Sequence, residues 1–119
     1  MRVAGIMSGT SLDGIDVAIV DIHGRRVSTV AFHTTPYPKP VREALLGVSN
    51  SITHTAAIAR LSFLLGELYA EALLETVRRA KIPLASIALC GMHSQTIFHE
   101  GQPIVLEDMS VLPYLMDDR

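Results

Sequence analysis

Residues 2–22 read RVAGIMSGTSLDGIDVAIVDI, and this stretch decides the fold. Arg2 to Met7 and Ile15 to Ile22 are rich in the aliphatic and β-branched residues that suit strands. Between them, Ser8 to Gly14 are mostly small or polar and end in Asp13-Gly14, a pair favoured at reverse turns. The pattern predicts a β-hairpin whose tip is built from glycines and hydroxyl residues. His23-Gly24 predicts a second turn. Val27 to Thr34 then alternates moderately, with Val27, Thr29 and Ala31 set against Ser28, Val30 and Phe32, as a third antiparallel strand does.

Pro36, Pro38 and Pro40 interrupt regular structure, and Val41 to Val48 suits a short helix followed by a polar connector, Ser49 to His54. From Thr55 to Lys81 the pattern is helical. Ile58, Leu61, Leu65, Leu68 and Ala72 share one face, and Arg60, Glu67, Glu71, Glu75 and Arg78 lie largely opposite, as a solvated stripe. Arg78, Arg79 and Lys81 suit the negative end of the helix dipole, and Ile82-Pro83 stops the helix. The apolar run Ile87 to Cys90 predicts a strand covered on both faces, with Gly91 to His99 carrying polar groups out of its end. Pro103 to Leu106 suits a further strand, and Glu107 to Arg119 shows no clear period. The fold class expected is α/β: an antiparallel three-strand meander, a long helix and a buried strand, in one domain over residues 1–119.

Composition bounds the partners. In 119 residues, 49% are hydrophobic and only 18% charged, which excludes intrinsic disorder and describes one core-rich domain. Ten Lys and Arg against 12 Asp and Glu give a net charge of -2, without the basic excess that nucleic acid requires. Val3 to Met7 is too short for a signal-peptide core. Ile58 to Leu74 is broken by Arg60, Glu67 and Glu71, whereas a spanning helix needs about 20 mostly uncharged residues. No membrane role follows. The single cysteine, Cys90, is expected as a buried free thiol, which points to a reducing compartment and hence to the cytoplasm. So little charge on so small a domain implies that some apolar surface meets another domain or subunit.

The hairpin tip carries the strongest chemical signal. A turn of small residues aims several backbone N–H groups at one point and binds anions, while the hydroxyls of Ser8, Thr10 and Ser11 add donors suited to phosphate oxygens. Glycine allows close approach and positive φ. Asp13 and Asp16 are placed to orient magnesium-bound water. The tip has neither a Walker A ending nor dinucleotide-fingerprint spacing. Gly9, Asp13 and Gly14 equally suit a plain hairpin that binds nothing, as in a purely structural αβ domain. His93, Gln95 and His99, followed by Glu100, raise the question of zinc. In an extended segment, however, the two histidines stand roughly 20 Å apart, too far to share a metal. A polar cluster that orients a sugar or the structure fits them better. His23, His33 and His54 lie in turns or edges without an assigned role.

The run Gly5 to Ala18, GIMSGTSLDGIDVA, closely resembles the N-terminal signature of the anhydro-N-acetylmuramic acid kinases. Cys90 to His99, CGMHSQTIFH, resembles that family's Gly-x-His-Gly-Gln-Thr-x-x-His segment, after the expected long helix. The resemblance implies the sugar kinase, actin and heat-shock ATPase superfamily, with this chain as the N-terminal lobe of an actin-like ATPase (ribonuclease H-like) fold. It implies ATP and Mg²⁺ as cofactors. Gly9, Thr10, Ser11, Leu12, Asp13, Gly14, Ile15 and Asp16 would form the ATP phosphate loop, and His93, Gln95 and Thr96 would contact substrate.

The family's reaction opens the 1,6-anhydro bridge of anhydro-N-acetylmuramic acid with water and passes the γ-phosphoryl group of ATP to the released 6-oxygen. The product, N-acetylmuramic acid 6-phosphate, belongs to cell-wall recycling. Its general base is an aspartate in an Asp-Thr-Gly-Pro-Gly-Asn segment that these residues do not contain, so no catalytic residue is assigned. Ser94 stands where the family has the second glycine of its block. Leu106-Glu107-Asp108 and Asp117-Asp118-Arg119 are the nearest counterparts of its Asp-Phe-Arg segment. Family members are several-fold longer, so the chain is expected to be an incomplete nucleotide-binding lobe, with the second lobe absent. The alternative is a truncated, catalytically inactive nucleotide-binding or interaction module.

Overall fold

The computed structural model describes residues 1–9, 11–99 and 101. Thr10, Glu100, the expected strand Pro103 to Leu106 and the stretch Glu107 to Arg119 lie outside the described residues. Strands β1 (Arg2–Ser8), β2 (Gly14–His23) and β3 (Arg26–Pro36) form the expected antiparallel meander. The second turn falls one residue later than His23-Gly24: β2 and β3 are joined through Gly24, at φ 61°, and Arg25.

Period-two burial makes one face of this sheet. Ala4, Ile6 and Ser8 of β1 pair with Ile19, Val17 and Ile15 of β2, and all six are buried. The register of β3 shifts between Ile19 and Val20, which pair with Ala31 and Thr29 and leave Val30 as an extra residue. This β-bulge breaks the simple alternation expected for Val27 to Thr34, because Val30 and Ala31 both pack against the core.

Helix α1 (Lys39–Val48) starts behind Pro38, with Pro40 in its first turn, where a missing N–H removes no intrahelical bond. It buries Val41 and Leu45. Helix α2 (Thr55–Ala80) buries Leu65, Tyr69, Ala72, Thr76 and Val77, while Ile58, Leu61 and Leu68 are half-buried on the same side. At its end Lys81 turns left-handed, at φ 56°, and donates its N–H to the carbonyls of Val77 and Arg78. None of the described helices is long and apolar enough to cross a membrane.

After a single 3-10 turn, Leu84–Ser86, strand β4 (Leu89–His93) runs parallel to β1, giving the order β3-β2-β1-β4. Two expectations are corrected here. The strand is not Ile87 to Cys90 with polar residues leaving its end. Its ladder against Val3 to Met7 takes in Gly91, Met92 and His93, because the partner strand sets its length. Nor is it buried. α2 lies over β3, β2 and β1, and β4 beyond it leaves Leu89 57% and Met92 58% exposed. Cys90 is exposed for the same reason, so the argument from a buried thiol to a reducing compartment falls away.

The other sheet face carries Val3, Gly5 and Met7 of β1, with Val20, Ala18 and Asp16 beside them on β2 and Leu89, Gly91 and His93 on β4. Among the described residues no helix covers it. Gly5, Ala18 and Gly91 form a shallow trough across the strands, walled by larger side chains, and Phe32 at its end is 62% exposed.

Candidate nucleotide-binding site

Ser8 is the last residue of β1, and its side chain points into the core. The chain then leaves the sheet and returns at Gly14. Within this loop the Leu12 N–H donates to the Gly9 carbonyl at 3.2 Å, the sole backbone hydrogen bond inside it among the described residues. Among the described loop residues the left-handed one is Leu12, at φ 56°, although glycine is the residue that adopts positive φ freely. That conformation costs a side chain about 1–2 kcal/mol. Leu12 is only 4% exposed, and burying a leucine contributes about 1.5–3 kcal/mol, so its side chain anchors the loop in spite of the strain.

Gly14 is demanded by packing. A Cβ there would lie 2.3 Å from the Thr35 carbonyl oxygen and 2.8 Å from Pro36 Cα. Gly9 has room, its nearest neighbour being Ser11 Oγ at 3.8 Å. The segment that crowds Gly14 continues into Tyr37, whose N–H donates to the Asp13 carbonyl at 3.3 Å and whose hydroxyl lies 2.6 Å from Ser8 Oγ. Ser8 in turn donates to Gln95 Oε1, and Gln95 Nε2 donates to the Thr96 carbonyl at 3.1 Å. Burial is the main cause that pushes the Tyr37 hydroxyl well above the ordinary tyrosine range. The neighbouring Tyr69 hydroxyl adds to this. Tyr69 is buried beside Tyr37 without closing a well-shaped hydrogen bond of its own.

The open sheet face brings a second group to the same end. Met7 pairs with Asp16 on one side and His93 on the other, so these three side chains form a row below the loop. Asp16 Oδ1 accepts from Thr34 Oγ1 at 2.6 Å. His93 Nδ1 is buried with no hydrogen-bond partner among the described residues. Ser11 and Asp13 are exposed, whereas Ile15, at 2% exposure, belongs to the core, so its side chain faces away from any ligand. Gln95 is buried against Ser8, and Thr96 is half-buried.

His99 is led elsewhere. Its N–H donates to Asn50 Oδ1 at 3.3 Å, and the Asn50 N–H donates to the Ile97 carbonyl at 2.7 Å. Ser94, which replaces a family glycine, lies outside the left-handed region, so its backbone does not require glycine. Among the described residues no group of three or more His, Cys, Asp and Glu side chains is gathered to hold a metal. Tyr37 and Asn50 were missed in the sequence. Tyr37 alone carried a signal, being an aromatic residue held extended between Pro36 and Pro38.

A four-stranded mixed sheet, a long helix on one face and a glycine-hydroxyl loop at the strand ends define an α/β domain consistent with the N-terminal lobe of a sugar kinase. The sequence profile of anhydro-N-acetylmuramic acid kinases matches residues 1–111, and the chain belongs to that family. It is similar to the anhydro-N-acetylmuramic acid kinase of Caldanaerobacter subterraneus, 41% identical over 112 residues, covering 90% of this chain and 28% of that protein. The protein of the same name from a Bacillus cereus strain is 40% identical over 110 residues, covering 87% of this chain and 28% of the relative. The chain thus spans little more than a quarter of the length of the curated relatives it matches.

Proposed function

We propose that residues 1–119 form the nucleotide-binding lobe of an anhydro-N-acetylmuramic acid kinase with an actin-like ATPase fold, and that Gly9 to Asp16 take the phosphates of ATP. The observation that carries this reading is the loop itself. It is pinned at Ser8, Leu12 and Asp13, while Gly9 and the exposed Ser11 stand at the ends of the strands. Such a preorganised backbone cradle suits an anion, and no lysine in the loop supplies a point charge. Asp13 and Asp16 fit Mg²⁺ bound largely through phosphate oxygens and water, which is how this ion is usually held. When bound, Mg²⁺ neutralises charge developing on the transferred phosphoryl group.

In this reading His93 and Thr96 face the anhydrosugar, and the buried Gln95 fixes their segment. The whole reaction needs the part of the relatives that this chain does not match, supplied as a second lobe that meets its apolar surface. A homo-oligomer through that surface is the alternative partner. We place the protein in the cytoplasm, where ATP is available. A second reading is a truncated, catalytically inactive nucleotide-binding or interaction module.

Titration of the ¹⁵N-labelled chain with Mg²⁺-ATP tests the loop. Shifts are expected to cluster at Gly9, Thr10, Ser11 and Gly14, and shifts confined to residues 93–99 would overturn the assignment.

A further inference from the structure

We propose that Tyr37 is a positioning residue that holds both stems of the Gly9–Asp13 loop and, through Ser8, ties the loop to the 93–99 segment. The inference rests on the proposed function only for what the two segments bind. Its geometry is on three elements. The Tyr37 N–H holds Asp13 at the far stem, and its hydroxyl holds Ser8 at the near one. Ser8 is also where the loop meets the segment after β4, through Gln95.

The direction of this chain of hydrogen bonds follows from donor chemistry. The Thr96 carbonyl only accepts, so Gln95 turns its amide nitrogen to Thr96 and its oxygen to Ser8. The Ser8 hydroxyl has one hydrogen, directed at that oxygen, so it accepts from Tyr37, which is the donor. A phenol kept neutral by burial is suited to that role. Ser8, Tyr37 and Gln95 are all buried, where linked hydrogen bonds polarise one another and an unmade one is costly. A displacement of the loop is therefore felt at Gln95. Occupancy of the loop and the placing of His93 and Thr96 become linked through a single serine oxygen.

The test uses the ¹⁵N-labelled chain, Tyr37→Phe, and Tyr69→Phe as control. Without nucleotide, Tyr37→Phe is expected to move the amide signals of Gly9 and Asp13 together with those of Thr96 and the Gln95 side chain. Tyr69→Phe should move them less than a third as far. Shifts limited to residues 35–39 would overturn the proposal. With Mg²⁺-ATP, the Gln95 side-chain signal should respond in the parent, and Tyr37→Phe should bind at least fivefold more weakly without that response. Binding within twofold, with the Gln95 response intact, would also overturn it. If the parent fails to bind Mg²⁺-ATP, the proposed function fails, and the nucleotide-free spectra still decide the coupling. Should Tyr37→Phe not fold, Gln95→Leu asks the same question from the other end: Gly9 and Asp13 must shift, and changes confined to residues 94–97 would sink the idea.

Discussion

Gly14 and Gly5 sit in neighbouring strands, yet an added methyl group meets opposite surroundings at the two positions. At Gly14 it meets the backbone of Thr35 and Pro36, which cannot withdraw without unpairing β2 from β3. Gly14→Ala is expected to lose roughly 2–3 kcal/mol of stability, as overpacked sites do. At Gly5 nothing lies within 4 Å, and Gly5→Ala is expected to gain about 0.5 kcal/mol by restricting the unfolded chain. Urea unfolding of both variants checks the pair, and equal effects would contradict this account of the sheet. Leu12 shows where a reading by residue type stops. Glycine adopts positive φ freely, but side-chain burial outweighs backbone strain, and a leucine takes the strained place.

Helix α2 ends on a lysine in a conformation that glycine adopts freely. Lys81→Gly is therefore expected to stabilise the chain by about 1 kcal/mol, read as a higher urea midpoint. At the other end of the sheet, Arg2 pairs with Asp21 at 2.9 Å and steadies the β1–β2 ladder. The hydrogen bond from Arg2, ahead of its charge, lowers the Asp21 carboxyl below the ordinary value. A carboxylate whose pKa is lowered by folding adds stability above its unfolded value, about pH 4, and loses it as pH falls through the folded one. Asp21→Asn should flatten that acid limb, and an unchanged slope in acid titrations monitored by circular dichroism would show the pair to be idle.

Elements of this kind were legible in the sequence because their signals are local: the hairpin of β1 and β2, the period of Ile58 to Ala72, the stop at Ile82-Pro83; the turn itself falls at Gly9–Leu12, and Gly14 is already in β2. The surroundings of β4 were not. Whether Cys90 is covered depends on how far α2 reaches across the sheet, a long-range property that the apolar run around it does not encode. The loop was likewise visible as glycines and hydroxyls, but its clamp was not, since Tyr37 reaches it only through the pairing of β2 with β3.

For the whole molecule, the open sheet face is expected to dominate behaviour in solution. Met7, Phe32 and Leu89 are each more than half exposed, and burial of apolar area contributes about 25 cal/mol per Å². The isolated chain is expected to self-associate at micromolar concentration. Sedimentation reads this, and a clean monomer that binds no hydrophobic dye would contradict it. Residues 1–119 by themselves are also expected to form no phosphorylated sugar from anhydro-N-acetylmuramic acid and ATP, because the Asp-Thr-Gly-Pro-Gly-Asn segment to which the resemblance assigns the general base is not among them. Turnover above that of an Asp13→Ala, Asp16→Ala double variant would refute this. The strand order has a consequence in time. β1, β2 and β3 meet as sequence neighbours, whereas both helices lie between β1 and β4 in the chain, and contacts this distant form slowly. The bond from Ser8 to Gln95 closes with that last strand, so the loop is tied to the 93–99 segment only when the sheet is complete. Pulse-labelled hydrogen exchange should show the Leu12 amide, which donates to the Gly9 carbonyl, gaining protection together with β4. Protection arriving with β2 would reverse that order. A chain caught partway through folding would thus carry the loop's whole sequence without its tie to the 93–99 segment.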